Sequence, residues 1–268
     1  MSTLFRITLT LALALLASPA SAAQPASPVE PGEKAEEYPV YLPGVFAVIV
    51  SEVTPPPPLP PSLPLPFDPN AVHSGEGTYY AADGSGNCSF DPSPDDLMVA
   101  ALNTPDYHGS MLCGAYIEVT GPRGSVVVRV VDRCPECAAG DVDLSPQAFE
   151  RIAALSAGRV PITWRLLSPE LSGPIVYRFK EGSNPWWTAV QIRNHRNPIY
   201  KVEAQIGGGA FQELERQTYN YFVAFSGLGS GPVTLRVTDI YGNTITDSGI
   251  VWAEGAQVSG SAQFPPAP

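Results

Sequence analysis

Two aspartates, Asp132 and Asp143, are the residues of this chain best placed for acid/base chemistry. Carboxylates fixed on rigid elements can act on a glycosidic bond, one of them kept protonated near neutrality to feed the leaving oxygen. Asp132 ends a β-branched run, residues 126–131, that reads as a buried barrel strand. After the turn Cys134-Pro135-Glu136-Cys137 and a small-residue loop comes Asp143, just before Ser145-Pro146, a helix N-cap followed by proline at the first helical position. Both carboxylates thus come to one edge of a sheet. The plainer reading of the pair is that each caps a turn.

The elements that must position them sit in a chain of 268 residues with thirty prolines, many in one block, so two domains and a non-globular portion are expected. Residues 1–22, with Arg6, an apolar stretch over 9–17 and Ala20-Ser21-Ala22 as a small-residue cleavage site, read as a secretory signal. No other apolar run reaches the roughly twenty residues that span a bilayer. The mature chain is therefore expected to be secreted, extracellular and without a membrane span, and it is read as a monomer. Export to an oxidising compartment makes two disulfides the first reading of the four cysteines. A zinc site wants two close pairs, whereas only Cys134 and Cys137 are close. Of the three connectivities that four cysteines allow, Cys88–Cys113 with Cys134–Cys137 is favoured. The shorter bridge closes too small a loop to stabilise much and is expected to shape the turn beside Asp132. No metal and no cofactor is expected.

The net charge of −11 is uneven: residues 71–171 carry about −7 and residues 172–268 about 0. Such a balance argues against nucleic acid and against a polyanion such as pectin, and for a neutral polymer or one whose charges lie elsewhere. Residues 23–70, with Pro55-Pro56-Pro57-Pro58 and Pro60-Pro61, are expected as a disordered spacer of polyproline II character, with an apolar island at 46–50. Residues 71–171 read as one β-rich domain, with strands over 75–80, 115–120, 125–131 and 161–166 and one helix over 147–155. Residues 172–255, opened by the break Ser172-Gly173-Pro174, show short strands between glycine turns and read as a small β-sandwich of immunoglobulin type. Residues 256–268 are expected as a C-terminal tail.

Several motifs follow one another in order: Gly77-Thr78-Tyr79, Val131-Asp132-Arg133-Cys134-Pro135, Asp143-Leu144-Ser145-Pro146, Lys180-Glu181-Gly182-Ser183, Trp186-Trp187, the run 191–195 and Tyr219-Asn220-Tyr221-Phe222. Over about residues 73–252 this succession resembles the expansins, specifically the bacterial expansin-like proteins. The resemblance implies an all-β fold, a six-stranded double-psi β-barrel followed by an immunoglobulin-like β-sandwich that serves as a carbohydrate-binding module. It also implies binding to cellulose and associated matrix polysaccharides, and loosening of plant-type cell walls by non-hydrolytic disruption of polysaccharide contacts. Carried over by position, Asp143 matches the family's essential barrel aspartate, with Asp132 and Thr78 as groove companions. Trp186, Trp187 and Tyr219 match its aromatic binding line, with Lys180 nearby. One departure concerns the groove: bacterial members often carry a tyrosine two residues after the first aspartate, where this chain has Cys134, so a sugar-stacking contact is expected to be missing.

Aromatic rings bury large rigid faces at low entropic cost and stack on the apolar faces of pyranose rings, which suits a flat polysaccharide surface. Adjacent residues on a strand point to opposite faces, so Trp186 and Trp187 can both be exposed only if Pro185 and Ser183-Asn184 hold them in a loop. At least one ring of Tyr219-Asn220-Tyr221-Phe222 must be core. His73, His108 and His195 share no metal-ligand spacing and read as hydrogen-bonding or surface residues. Three readings of function remain open: wall loosening without hydrolysis, a binding protein without chemistry, and an enzyme on the same barrel. The enzyme would be a weak endo-β-1,4-glucanase with Asp143 as acid and Asp132 or Asp83 as base, or a lytic transglycosylase acting on peptidoglycan.

Overall fold

The computed structural model describes residues 63–268. The signal expected at 1–22, the apolar island at 46–50 and the spacer as far as residue 62 lie outside the described residues. Six strands close into a barrel: β1 (His73–Tyr79), β2 (Val99–Asn103), β3 (Tyr116–Gly121), β4 (Gly124–Cys134), β5 (Val142–Leu144) and β6 (Val160–Leu167), in the spatial order β1-β5-β2-β4-β3-β6. Only β3 and β4 form a tight hairpin, turning through Pro122-Arg123. The pairs β1–β5 and β2–β4 are parallel, which no tight turn can join, so long connections run over the barrel ends. The core is filled by Val, Leu and Ile side chains with Phe149 and Trp164, whose indole N–H donates to the Gly140 carbonyl at 2.9 Å. Strands β2 and β5 were not anticipated. Every residue of β2 is buried, so it has no alternating signature, and β5 has only three residues.

Two short helices complete this part, α1 (Thr104–Tyr107) and α2 (Pro146–Ile152). The second is shorter than the helix expected over 147–155, and residues 155–157 form a separate 3-10 turn. Its start is as the sequence indicates: the Ser145 hydroxyl accepts the Ala148 N–H at 3.0 Å, and Pro146 occupies the first turn, where no amide is needed. The cap pins the chain one residue beyond β5 and thereby fixes Asp143.

The remaining strands form a β-sandwich. One sheet runs β10 (Gln212–Glu213), β9 (Ile199–Ile206), β13 (Val233–Asp239), β14 (Thr244–Ile250). The other runs β11 (Glu215–Arg216), β12 (Phe222–Ala224), β8 (Thr188–Arg193), β7 (Val176–Phe179), β15 (Gln257–Ser259). Tyr177, Phe179, Val190 and Ile192 pack against Val202, Ala204, Leu235 and Val237 between them. Residues 256–268, expected as a tail, instead belong to this fold. Strand β15 pairs with β7, Phe264 is buried, and the Ser261 amide donates to the Asp247 carboxylate, which also accepts the Tyr177 hydroxyl at 2.8 Å. At the other end, the expected spacer gives way to packing before residue 70: Phe67 joins the barrel core and stacks on His108 with ring centroids 4.6 Å apart. In both cases isolated apolar residues in a polar or proline-rich context find surface to bury. Among the described residues no helix is long and apolar enough to cross a membrane.

Disulfides join Cys88 to Cys113 and Cys134 to Cys137. The first lies against Tyr107, whose hydroxyl donates to the Thr218 carbonyl of the sandwich at 2.8 Å and accepts from the Asn87 side-chain amide at 2.8 Å. Asn87 also reaches the Thr218 carbonyl, at 2.9 Å, and the Ser110 hydroxyl donates to Gln217 at 2.7 Å. From the sandwich, Gln191 and Asn220 donate to the Cys88 carbonyl at 2.8 and 3.2 Å. Asn220 is buried and holds a positive φ of 63°, a conformation that asparagine tolerates better than most residues. Removing the Tyr107 hydroxyl takes a part-buried hydrogen bond out of the seam, at a cost of about 0.5–1.5 kcal/mol, while Asn87 still reaches the Thr218 carbonyl. Tyr107→Phe is accordingly expected to lower the melting temperature and to split barrel and sandwich unfolding into two calorimetric transitions. An unchanged single transition would remove this residue from the seam's energetics.

Candidate functional site

Thr78, Asp143, Ala101 and Asp132 form one lateral row across β1, β5, β2 and β4: Thr78 pairs with Asp143, Asp143 with Ala101, and Ala101 with Asp132. The row depends on a register shift between Ala100 and Ala101, where the β4 partner jumps from Val130 to Asp132. Without that bulge Asp132 would fall out of step and point to the other face. Ala101, the smallest side chain of the row, separates the carboxylates. Two strand spacings put the backbones of Asp143 and Asp132 roughly 10 Å apart.

Each carboxylate is held differently. The Thr78 hydroxyl donates to Asp143 Oδ1 at 2.6 Å. Burial nevertheless raises the Asp143 pKa above the ordinary range, against the opposing effect of that hydrogen bond, and the charges of Glu136 and Asp132 add to the rise. The Cys134–Cys137 turn therefore bears on the site through Glu136, which it carries. Asp132 Oδ1 accepts two backbone amides, Asn87 at 2.6 Å and Arg133 at 2.8 Å. Gly86 packs on this carboxylate so closely that a Cβ would overlap it. Asp83 is exposed, and its hydrogen bonds from the Ser85 hydroxyl and amide hold its carboxyl below the ordinary range.

Tyr80 was not singled out from the sequence, although it stands two residues from Thr78 and a period of two puts both on one face. Its hydroxyl is buried without a hydrogen-bond partner among the described residues. Burial first, then the charges of Asp132, Asp143 and Asp83, push its pKa above the ordinary phenol range. A protonated phenol thus lies near the same carboxylates. Among the described residues no cluster of three or more His, Cys, Asp or Glu is placed to hold a metal ion.

The aromatic residues gather on the sandwich. Asn184 and Trp187 bridge each other through backbone hydrogen bonds of 2.8 and 3.1 Å, enclosing Pro185-Trp186 in a four-residue turn. Asn184 Oδ1 accepts the amides of Trp186 and Trp187 at 3.0 and 3.1 Å. The turn takes the pair out of strand alternation: Trp186 projects with 77 % of its surface exposed, and Trp187 lies half-buried over Ala189, Tyr221 and Val223. Tyr219 covers the same patch, its ring 6.0 Å from Tyr221, which with Phe222 is one of the two buried rings of the motif. Lys180 places its ammonium 5.8 Å above Tyr221. Phe225, also unanticipated, follows Ala224, the partner of Thr188, and is 58 % exposed. Gly227 lets its loop lie directly on the Pro185-Trp186 backbone, where a Cβ would collide. The two halves of the site meet at Thr218, since the Asn87 residue that orients Asp132 also binds the carbonyl next to Tyr219.

A family model described as lytic transglycolase matches residues 100–164, within the barrel. Expansin-YoaJ of Bacillus subtilis is 40 % identical over 182 residues, covering 66 % of this chain and 78 % of that protein. Expansin-like protein 2 of Dictyostelium discoideum is 32 % identical over 203 residues, covering 71 % of this chain and 50 % of its own length. Among solved structures, a mutant of the Clavibacter michiganensis expansin in complex with cellohexaose superposes with a TM-score of 0.69 at 35 % identity, covering 74 % of this chain and 100 % of that one. With a barrel and a sandwich both matched and ordered as in these proteins, the chain belongs to the bacterial expansin-like proteins.

Proposed function

We propose that this protein is secreted, binds cellulose through Trp186, Trp187, Tyr219 and Phe225, and loosens plant-type walls by disrupting polysaccharide contacts without hydrolysis. The observation that carries the reading is the continuity from Asp132 through Asn87 and Thr218 to Tyr219, which makes groove and aromatic face one surface for a single glycan chain. The cellohexaose held by the Clavibacter michiganensis relative makes a cello-oligosaccharide the first ligand to test. Two disulfides fit an extracellular setting.

Inverting hydrolysis needs a carboxylate able to activate water opposite the acid. Asp132 Oδ1 is occupied by two amides, and Asp83 is a weakened base because its pKa is lowered. Asp143, kept protonated further toward neutrality, acts as a donor to glycan oxygens and competes with hydrogen bonds between chains.

Asp143→Asn is expected to abolish creep of clamped wall strips while cellulose pull-down stays nearly intact. Because the raised pKa extends the protonated form upward in pH, wild-type creep should be greatest on the acid side and decline as pH rises. A flat pH profile would rule out the protonated carboxyl as the acting form, and sugar released by the wild type in step with creep would show cleavage.

If each exposed ring contributes about 1 kcal/mol, alanine at Trp186, Trp187 and Tyr219 together weakens cellulose binding roughly a hundredfold, and Phe225→Ala alone about fivefold. The half-buried Trp187 should also lower stability when removed, as Trp186 should not. Binding should persist at high salt, since apolar burial is unscreened. Isotherms matching wild type for the triple variant would rule out the aromatic platform.

A further inference from the structure

A pocket of about 250 Å³ opens on the seam away from the groove, between the outer wall of the barrel and the edge of the sandwich, lined by Phe90, Tyr116 and Arg129 on one side and Arg193, His195 and Gln257 on the other. Two guanidinium groups stand over the Phe90 ring, Arg129 at 4.9 Å and Arg193 at 5.7 Å from its centroid. Their charges are not equally satisfied. Arg193 donates to Asp91 at 2.6 Å, to the Gln191 side chain at 2.5 Å and to the Ser89 carbonyl at 3.4 Å. Arg129 has no side-chain hydrogen bond and no carboxylate within salt-bridge reach among the described residues, and its Nε–H is buried without an acceptor. The ring contact serves the face of the guanidinium but offers its N–H groups nothing. In a chain of net charge −11 this is an uncompensated cation in a concave site.

The other lining groups narrow the ligand. Burial keeps His195 neutral above about pH 4, and the hydrogen bond between its Nδ1 and the Asn197 carbonyl occupies that nitrogen, so it adds no charge. Tyr116 pairs across the barrel wall with Arg129, and neither its hydroxyl nor the Gln257 amide has a side-chain partner among the described residues. One uncommitted guanidinium balances one negative charge, and its planar fork matches a carboxylate. Neutral donor–acceptor groups beside it suit hydroxyls, and the volume lies below that of pockets for drug-sized ligands, about the scale of one sugar ring.

We propose that this seam pocket binds a monoanionic sugar acid, with Arg129 holding the carboxylate and Tyr116 and Gln257 meeting ring hydroxyls. The acid is either free or a uronate branch on an otherwise neutral matrix glycan. The site is independent of the groove and of the aromatic face.

Titration calorimetry of the full chain with D-glucuronate, D-glucose and inorganic phosphate tests it. Glucuronate should bind at least about tenfold more tightly than either of the others, and Arg129→Gln should lose at least about tenfold of that affinity with cellulose pull-down unchanged. Arg129→Lys, which keeps the charge without the fork, should fall between and gives an answer even if the glutamine variant misfolds. Affinity gels with glucuronoxylan and with unbranched xylan separate the sources: Arg129-dependent retardation by glucuronoxylan alone assigns the branch, and calorimetric binding without retardation assigns the free acid. Equal binding of glucose and glucuronate, phosphate binding as tight as glucuronate, or undiminished glucuronate binding by both Arg129 variants overturns the proposal.

Discussion

The hydrogen-bonded clamp around Thr218 and Cys88 is the constraint on which the rest of this molecule depends. The Thr218 carbonyl takes hydrogen bonds from Tyr107 and Asn87 of the barrel, and the Cys88 carbonyl takes them from Gln191 and Asn220 of the sandwich. The bonds to Cys88 are buried and those to Thr218 lie nearer the surface, and each fixes a direction as well as contributing energy. Asn220 accepts an uncommon backbone conformation within this clamp and so presents Tyr219 at the boundary. The disulfide Cys88–Cys113 encloses Tyr107 from the barrel side. The clamp thus fixes the Asp132 end of the barrel beside Tyr219 of the sandwich.

Within the barrel, the decisive competition is between burial and hydrogen bonding at Asp143. A hydroxyl donating to a carboxylate favours the charged form, and loss of solvent disfavours it. Here burial wins, helped by two neighbouring negative charges. The bulge in β4 is a precondition, because only the shifted register brings Asp132 into the row with Asp143 and Thr78. Asp132, by contrast, is fixed in orientation by backbone amides, so two similar residues one strand apart on either side of Ala101 have unlike surroundings.

What could be read from the sequence was local. Ser145-Pro146 announces a capped helix and fixes Asp143 before it, and Asn184-Pro185 is the turn that both tryptophans need. Strands β2 and β5 escaped because a wholly buried five-residue run and a three-residue run carry no period. Tyr80 and Phe225 escaped for a different reason: an aromatic residue beside a strand is usually core, and only tertiary placement shows one hydroxyl unpaired and one ring in solvent. The Arg129–Phe90–Arg193 stack joins residues from both domains, a juxtaposition no local pattern encodes. The final residues misled because Val258 and Phe264 are isolated among small polar residues and prolines, although each has a place in the sandwich.

That C-terminal segment sets the order in which the two domains can fold. β7 is flanked by β8 on one side and by β15 on the other, and Asp247, from β14, receives the Ser261 amide only when the last residues are present. Whenever the chain emerges from its N-terminal side, the barrel strands all appear before the sandwich begins, so the barrel can close while the rest follows. The sandwich cannot. Until residues 257–264 have emerged, β7 offers an unpaired edge and the Phe264 site stays open, which is the arrangement that invites strand addition by another chain. Vectorial emergence therefore gives the two domains different windows of vulnerability, and the later-closing one is the domain that carries Trp186 and Phe225.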